Sequence, residues 1–320
     1  MPSRRRGSFR VVAPGWLTTV QDLGRIGAQR YGMPVAGAMD PPALRLANRL
    51  VGNRDDAAGL EVTIQGPTLL CEVDALVAVT GGDLSPTLDG RHLPLWTSFD
   101  VRRGQRLAFG ARRSGARAYL AVAGGVDVPS VLGSRATHLA SRTGGLEGRA
   151  LQQGDVLAAG PRRSRRSVAG RAVPPAVRPT YRTPIDLRLV PGPQRDWFNE
   201  EVVALLTTHA YTIGPASDRM GYRLVGPPLA GGADRSMLSE AMPLGALQVP
   251  GDGQPILLMA DRQTTGGYPV IAVLATADIG LAAQGAPGDR LHVSFVAVED
   301  ARRLLREQRA AVDEALPPVI

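Results

Sequence analysis

Four stretches of this chain carry more charge, amide, hydroxyl and glycine than a plain strand connection needs. The densest is Asp261-Arg262-Gln263-Thr264-Thr265-Gly266-Gly267-Tyr268-Pro269, directly behind the apolar run 256–260. Acid, guanidinium, amide and hydroxyl groups at the end of a rigid strand suit the binding of a small polar molecule. Gly266 and Gly267 let backbone approach such a molecule closely. The competing reading is a tight turn in which Asp261 pairs with Arg262 and the threonines cap backbone groups. The other three stretches are Ser217-Asp218-Arg219-Met220-Gly221, Ser239-Glu240 running on to Gly245-Ala246-Leu247-Gln248, and Thr19-Val20-Gln21-Asp22-Leu23-Gly24-Arg25 in the first half.

Groups of these types can hold a small polar substrate, such as an amide that carries a carboxylate. Arg262 or Arg219 is expected to hold a substrate carboxylate, because a guanidinium fork matches a planar anion. Glu240 or Asp261 is the expected acid, base or water-positioning group. Gln248, Gln263 and Thr264 are expected to hydrogen-bond the amide, with Gly266, Gly267 and Tyr268 around it. Asp218 reads either as a substrate contact or as the partner of Arg219 in a surface ion pair. Gln21, Asp22 and Arg25 are the contribution expected from the first half, in a cleft between two domains. Asp40 is explained by helix capping, since Pro41 follows it and Leu44, Ala47, Leu50 and Val51 form an apolar stripe.

The elements that must position these groups are mostly strands. The chain has 320 residues with 38 glycines and 26 prolines, and apolar runs alternate with turns throughout. Strands are expected within 11–13, 60–70, 75–80, 105–109, 116–123, 187–190, 256–259, 270–275 and 290–298. Helices are expected after Asp40, over 194–207 and from Glu299 onward. Length and composition divide the chain into a basic disordered tail (1–10), a domain over 11–160, an arginine- and proline-rich linker (161–183) and a second domain over 184–320. Each half runs a strand into a Gly-Gly turn that ends in proline, which suggests two related closed β-structures.

Several function classes are excluded. All 37 basic side chains other than histidine are arginine, so the net charge of +8 reflects a compositional bias more than a nucleic-acid footprint. Without lysine there is no Schiff base, no phosphate-binding P-loop and no attachment point for covalent biotin. The four histidines lack metal-ligand spacing, so no metal site is expected. Cys71 has no partner for a disulfide and reads as a small core residue. No apolar run is long enough to cross a bilayer as a helix, and the cytoplasm is the expected location.

Pro14-Gly15 with Thr19 to Arg25, the helix end Ala47-Asn48-Arg49-Leu50-Val51-Gly52-Asn53, Leu132-Gly133-Ser134-Arg135-Ala136-Thr137, Gly144-Gly145-Leu146-Glu147-Gly148-Arg149 and Asp261 to Pro269 together resemble the biotin-dependent carboxyltransferase-like family. This family includes the second subunit of allophanate-hydrolase-like proteins, the KipA proteins and the C subunit of bacterial ATP-dependent 5-oxoprolinase. The resemblance implies a mainly β protein of two cyclophilin-like β-barrel domains with a few short helices. It also implies two partner chains in a multi-subunit complex, a KipI-like protein and a lactam-utilisation-type protein. The implied reaction is the ATP-driven opening of 5-oxo-L-proline to L-glutamate, with ATP as co-substrate held with the partner chains and no activity of this chain alone. Two other readings follow from the same resemblance: a carboxyltransferase component for a urea-like amide with a biotin carrier in trans, and a non-enzymatic binder of a KipI-like regulator.

Overall fold

A computed structural model describes residues 8–161, 168–231 and 237–319. The protein is mainly β and divides into two compact units. The first comprises Met1–Arg25, Ala36–Thr180 and Ala311–Ile320, and the second comprises Ile26–Val35 and Tyr181–Ala310. Residues 1–7 of the expected tail lie outside the described residues. Ser8 to Arg10 do not belong to a tail: they open the strand Ser8–Ala13, where Phe9 is buried and pairs with Cys71 and Leu157.

The first unit holds a six-stranded and a five-stranded sheet. Phe9, Val11, Leu69, Leu107 and Leu157 of one meet Val20, Leu60, Val62, Val77, Val79 and Leu120 of the other in a continuous apolar core. The strands Ala75–Asp83 and Ser114–Val122 are buried on nearly every residue. They can be apolar on both faces because the helix Pro41–Leu50 packs on the side away from that core. Asp40 caps this helix by accepting from the Ala43 amide at 3.0 Å. Gly59 lets this helix pack closely, since a Cβ there would be tight against Leu44 Cδ1 and the Leu120 carbonyl oxygen, both at 3.0 Å. Arg49 pairs with both oxygens of Asp55 (2.7 and 2.8 Å), with Asp313 (2.7 Å) and with the Leu316 carbonyl (2.8 Å), which fastens residues 313–316 to this unit.

The second unit is a closed seven-stranded barrel. Its strands run in the order Ile185–Pro191, Val270–Leu274, Ala246–Gln248, Ile256–Leu258, Gly221–Val225, Tyr211–Ile213 and Arg290–Phe295, and the last pairs in parallel with the first. Alternation is plain in the two parallel partners: Ile185, Leu187, Leu189, Leu291 and Val293 are buried while the residues between them are not. Arg188 binds the buried Asp278 through Nε (2.9 Å), Nη2 (2.5 Å) and its own amide (2.8 Å), seating the strand on the turn behind it.

Three expectations are corrected. The run 60–70 is two strands, Gly59–Thr63 and Thr68–Cys71, because Ile64 adopts a φ of 58° and Gly66 and Pro67 turn the chain. The helix expected over 194–207 is a short 3-10 turn, Arg195–Trp197, followed by Glu200–Thr208, whose N-cap Asn199 accepts from the Val202 amide. The stretch expected as a linker is docked over its described part. Val173 is fully buried and donates its amide to the Trp96 carbonyl at 2.9 Å, and residues up to Thr180 belong to the first unit. Arg162, Arg163, Arg165 and Arg166 of that stretch lie outside the described residues.

Cys71 sits fully buried in the first core, and burial pushes its thiol up to about 11. Raised in this way it stays neutral through the physiological range, when only the thiolate is reactive. The expected result is no reaction of the native protein with a disulfide reagent at pH 8 and one equivalent in denaturant. A full equivalent from the native protein within minutes would contradict the packing described.

Candidate functional site

One cluster of the singled-out residues lies in each unit. In the second, register creates it. Gly221 pairs with Leu258, so the residues just before one strand lie beside those just after the other. The Met259 amide reaches the Met220 carbonyl (2.9 Å) and the Asp261 amide reaches the Arg219 carbonyl (2.8 Å), which continues the pairing past the strand ends. The side chains then face each other. Arg219 Nε and Nη2 donate to Asp261 Oδ2 and Oδ1 at 3.0 and 2.9 Å, with only 4% and 5% of the two side chains exposed. This bidentate pair replaces both pairings that sequence allowed. Asp261 does not pair with Arg262. Nor does Asp218 pair with Arg219; its Oδ1 accepts from the Met220 and Gly221 amides (2.8 and 3.3 Å) and shapes the turn into the strand.

Arg262 is therefore left to different company. It is buried, and its Nε donates to the Met242 carbonyl at 2.9 Å. No carboxylate pairs with it among the described residues, and burial lowers its pKa. Met242 is also the hub for the amides: Gln248 Nε2 contacts Met242 Sδ (3.2 Å) and the Tyr268 carbonyl (3.3 Å), and Gln263 Nε2 donates to Gln248 Oε1 (3.2 Å). The ribbon Glu240–Ala241 with Thr265–Gly266 covers this group, placing Glu240 opposite Gly266. A side chain at Gly266 would displace this group, because a Cβ would meet Gln248 Nε2 at 2.7 Å and Met242 Cγ at 3.0 Å. The Thr264 carbonyl accepts from the Met242 amide (3.0 Å). Tyr268 is half exposed, and Gly267 sits near the Ser239 hydroxyl.

Glu240 is exposed, and Gln194 Nε2 donates to its Oε2 at 3.2 Å. Gln194 is itself fixed, since its Oε1 accepts from the Val270 amide at 3.0 Å. Gln194 and Met242 were not singled out in the sequence. Gln194 lies 46 residues from Glu240 and Met242 acts mainly through its backbone, so no local pattern marks either.

The first unit assembles Gln21, Asp22 and Arg25 with residues 134–137. Asp22 accepts from the Gly24 amide (2.8 Å), the Ser134 hydroxyl (2.6 Å) and the Arg135 amide (2.5 Å). Gln21 Nε2 donates to Thr19 Oγ1 (3.0 Å) and the Thr137 carbonyl (3.1 Å), and Arg25 Nη2 donates to the Ala136 carbonyl. Gly144 and Gly145 close on this loop with positive φ, and a Cβ on either would run into Ala136, Arg25 or Thr137. Beside it, the buried Glu61 accepts from the Tyr119 hydroxyl and the Met39 amide, both at 2.8 Å. Burial, together with the charge of Glu61, holds the Tyr119 phenol well above its usual range, so it remains a neutral donor. The described residues hold no group of histidine, cysteine and acidic side chains able to bind a metal ion, and no helix long and apolar enough to cross a membrane.

Residues 31–296 match the family described as carboxyltransferase domain, subdomain A and B. The C subunit of 5-oxoprolinase from Escherichia coli K12 is 39% identical over 303 residues, covering 94% of this chain and 95% of its own length. The urea amidolyase of Saccharomyces cerevisiae is 33% identical over 321 residues, which is 95% of this chain but 17% of that protein. The crystal structure of the K. lactis urea amidolyase superposes with a TM-score of 0.90 at 33% identity, covering 98% of this chain and 20% of that one. A match over most of the chain, joined to relatives above 30% identity along nearly all of it, places this protein in the carboxyltransferase domain family of subdomains A and B.

Proposed function

We propose that this chain is the C subunit of an ATP-dependent 5-oxoprolinase, working with a KipI-like partner and a lactam-utilisation-type partner in the cytoplasm, where ATP is available. The observation that carries the reading is the similarity to the 5-oxoprolinase C subunit over 94% of this chain and 95% of that one, whereas the same sequence accounts for a fifth or less of each yeast urea amidolyase compared.

Lactam opening needs activation because amide resonance protects the carbonyl carbon. Transfer of the ATP γ-phosphoryl group to the lactam oxygen makes that carbon electrophilic. Water adds there, the C–N bond breaks as nitrogen takes a proton, and a second water releases phosphate to give glutamate. ATP is bound by the partner chains in this reading, as this chain has no lysine-bearing phosphate loop. The contribution of this chain is to hold and orient the substrate. The Gln248–Gln263 pair offers amide donors and acceptors for the lactam. Glu240, exposed and steadied by Gln194, is the carboxylate available to move the proton at nitrogen. Both oxygens of Asp261 are taken by Arg219, so Asp261 acts as a positioning residue.

Mixing this chain with its KipI-like and lactam-utilisation-type partners, ATP and 5-oxoproline is expected to release glutamate in a reaction that avidin does not inhibit, and omission of any one chain should abolish it. The urea-amide carboxyltransferase reading, supported by the similarity to urea amidolyase, predicts instead that activity requires a biotinylated carrier and is lost with avidin. A regulatory binder would join the KipI-like protein tightly and leave ATP turnover unchanged.

A further inference from the structure

The most unusual charge in the second unit is Arg262. Its residue surface is only 7% exposed, yet the one hydrogen bond it makes among the described residues runs from Nε to a neutral carbonyl, Met242 O. A guanidinium carries five donors and does not deprotonate in proteins. Burial lowers its pKa, and no carboxylate pairs with it among the described residues. The nearest acidic residue in sequence, Asp261, has both oxygens committed to Arg219. A buried cation without a counter-ion is unfavourable for folding, and proteins keep such groups where a ligand supplies the missing charge.

We propose that Arg262 is the carboxylate anchor of this site: Nη1 and Nη2 form a two-pronged contact to the carboxylate of a small monoanion whose amide faces Gln248 and Gln263. The surroundings select the class of anion. Gln248, Gln263, Thr264 and Met242 are all neutral, so one guanidinium supplies a single positive charge. That charge matches a carboxylate, while a phosphate dianion calls for further cations or a nest of amides. The backbone that presents Arg262 is fixed on both sides, by the Arg219–Asp261 pair before it and by the Met242 amide on the Thr264 carbonyl after it. The identity of the anion as 5-oxoproline rests on the function proposed above; the carboxylate anchor does not.

Calorimetric titration of the full chain with propionate, a carboxylate without a lactam, and with 5-oxoproline and 2-pyrrolidinone, a lactam without a carboxylate, separates the two. Wild-type protein is expected to bind propionate weakly and 5-oxoproline more tightly. Arg262→Gln should lose at least tenfold affinity for both while leaving 2-pyrrolidinone unaffected. Arg262→Lys should fall between, keeping the charge without the fork. Because no carboxylate pairs with this charge among the described residues, Arg262→Gln should also melt at the same temperature as wild type or higher. Undiminished propionate and 5-oxoproline binding in Arg262→Gln would overturn the anchor. So would a fall of several degrees in its melting temperature, which would mark Arg262 as structural. If propionate binding depends on Arg262 but 5-oxoproline binds no better than propionate, the anchor stands and the 5-oxoprolinase reading fails.

Discussion

Asp261→Ala is expected to destabilise the protein by about 3–5 kcal/mol, the usual consequence of leaving one half of a buried ion pair without its counter-charge. The Arg219 and Asp261 side chains are almost wholly withdrawn from solvent and share two hydrogen bonds, so the buried Arg219 guanidinium would lose both of them together with this carboxylate. In a unit of this size that corresponds to a fall in melting temperature on the order of 10 °C. The double substitution Arg219→Met with Asp261→Leu should recover most of the loss, since a buried pair adds little beyond an apolar pair of similar volume. Chemical denaturation of wild type and both variants measures this. A loss below about 1 kcal/mol in Asp261→Ala would mean that the pair is solvated, as a surface ion pair is.

The second large effect is expected at Asp22→Ala. One carboxylate satisfies the Gly24 amide, the Ser134 hydroxyl and the Arg135 amide. Stranding buried donors costs about 1–3 kcal/mol for each group. A total of about 3 kcal/mol is expected because part of the loop can relax toward water. Amide hydrogen exchange should quicken at residues 134–137, whose backbone is also tied to Val20 through Thr137. Wild-type stability together with lost activity in the assembled enzyme would contradict this and make Asp22 a group that meets the substrate.

How far such conclusions reach from sequence depends on the range of the interaction. The helix after Asp40 is set locally by a cap, a proline and an apolar stripe, and it forms where those signals place it. The buried strands were legible from their apolar runs; the break between the two strands is marked only by the Gly66-Pro67 dipeptide, while the positive φ of Ile64 before it leaves no compositional mark. The segment 168–180 looked too polar for a core. A single valine, Val173, and backbone pairing with the edge at 96–98 suffice to dock it.

The candidate site shows the same division. Its residue types were legible, since Asp261 to Tyr268 is dense in binding groups. Its pairing was not: adjacent Asp218–Arg219 and Asp261–Arg262 are natural partners in sequence, and only the antiparallel register of Gly221 with Leu258 sends Arg219 to Asp261 and leaves Arg262 without a carboxylate partner among the described residues. Asp22 and Arg25 were recognised as unusual, but their role in holding 134–137 needs contacts across more than a hundred residues.

In the function proposed above, this chain completes an enzyme that opens a lactam at the expense of ATP. The most direct measurement is the rate of 5-oxoproline-dependent ATP hydrolysis by the KipI-like and lactam-utilisation-type partners before and after this chain is added. Turnover is expected to begin only on addition, with one glutamate formed for each ATP consumed. A rate unchanged by this chain, with no glutamate formed, would contradict it.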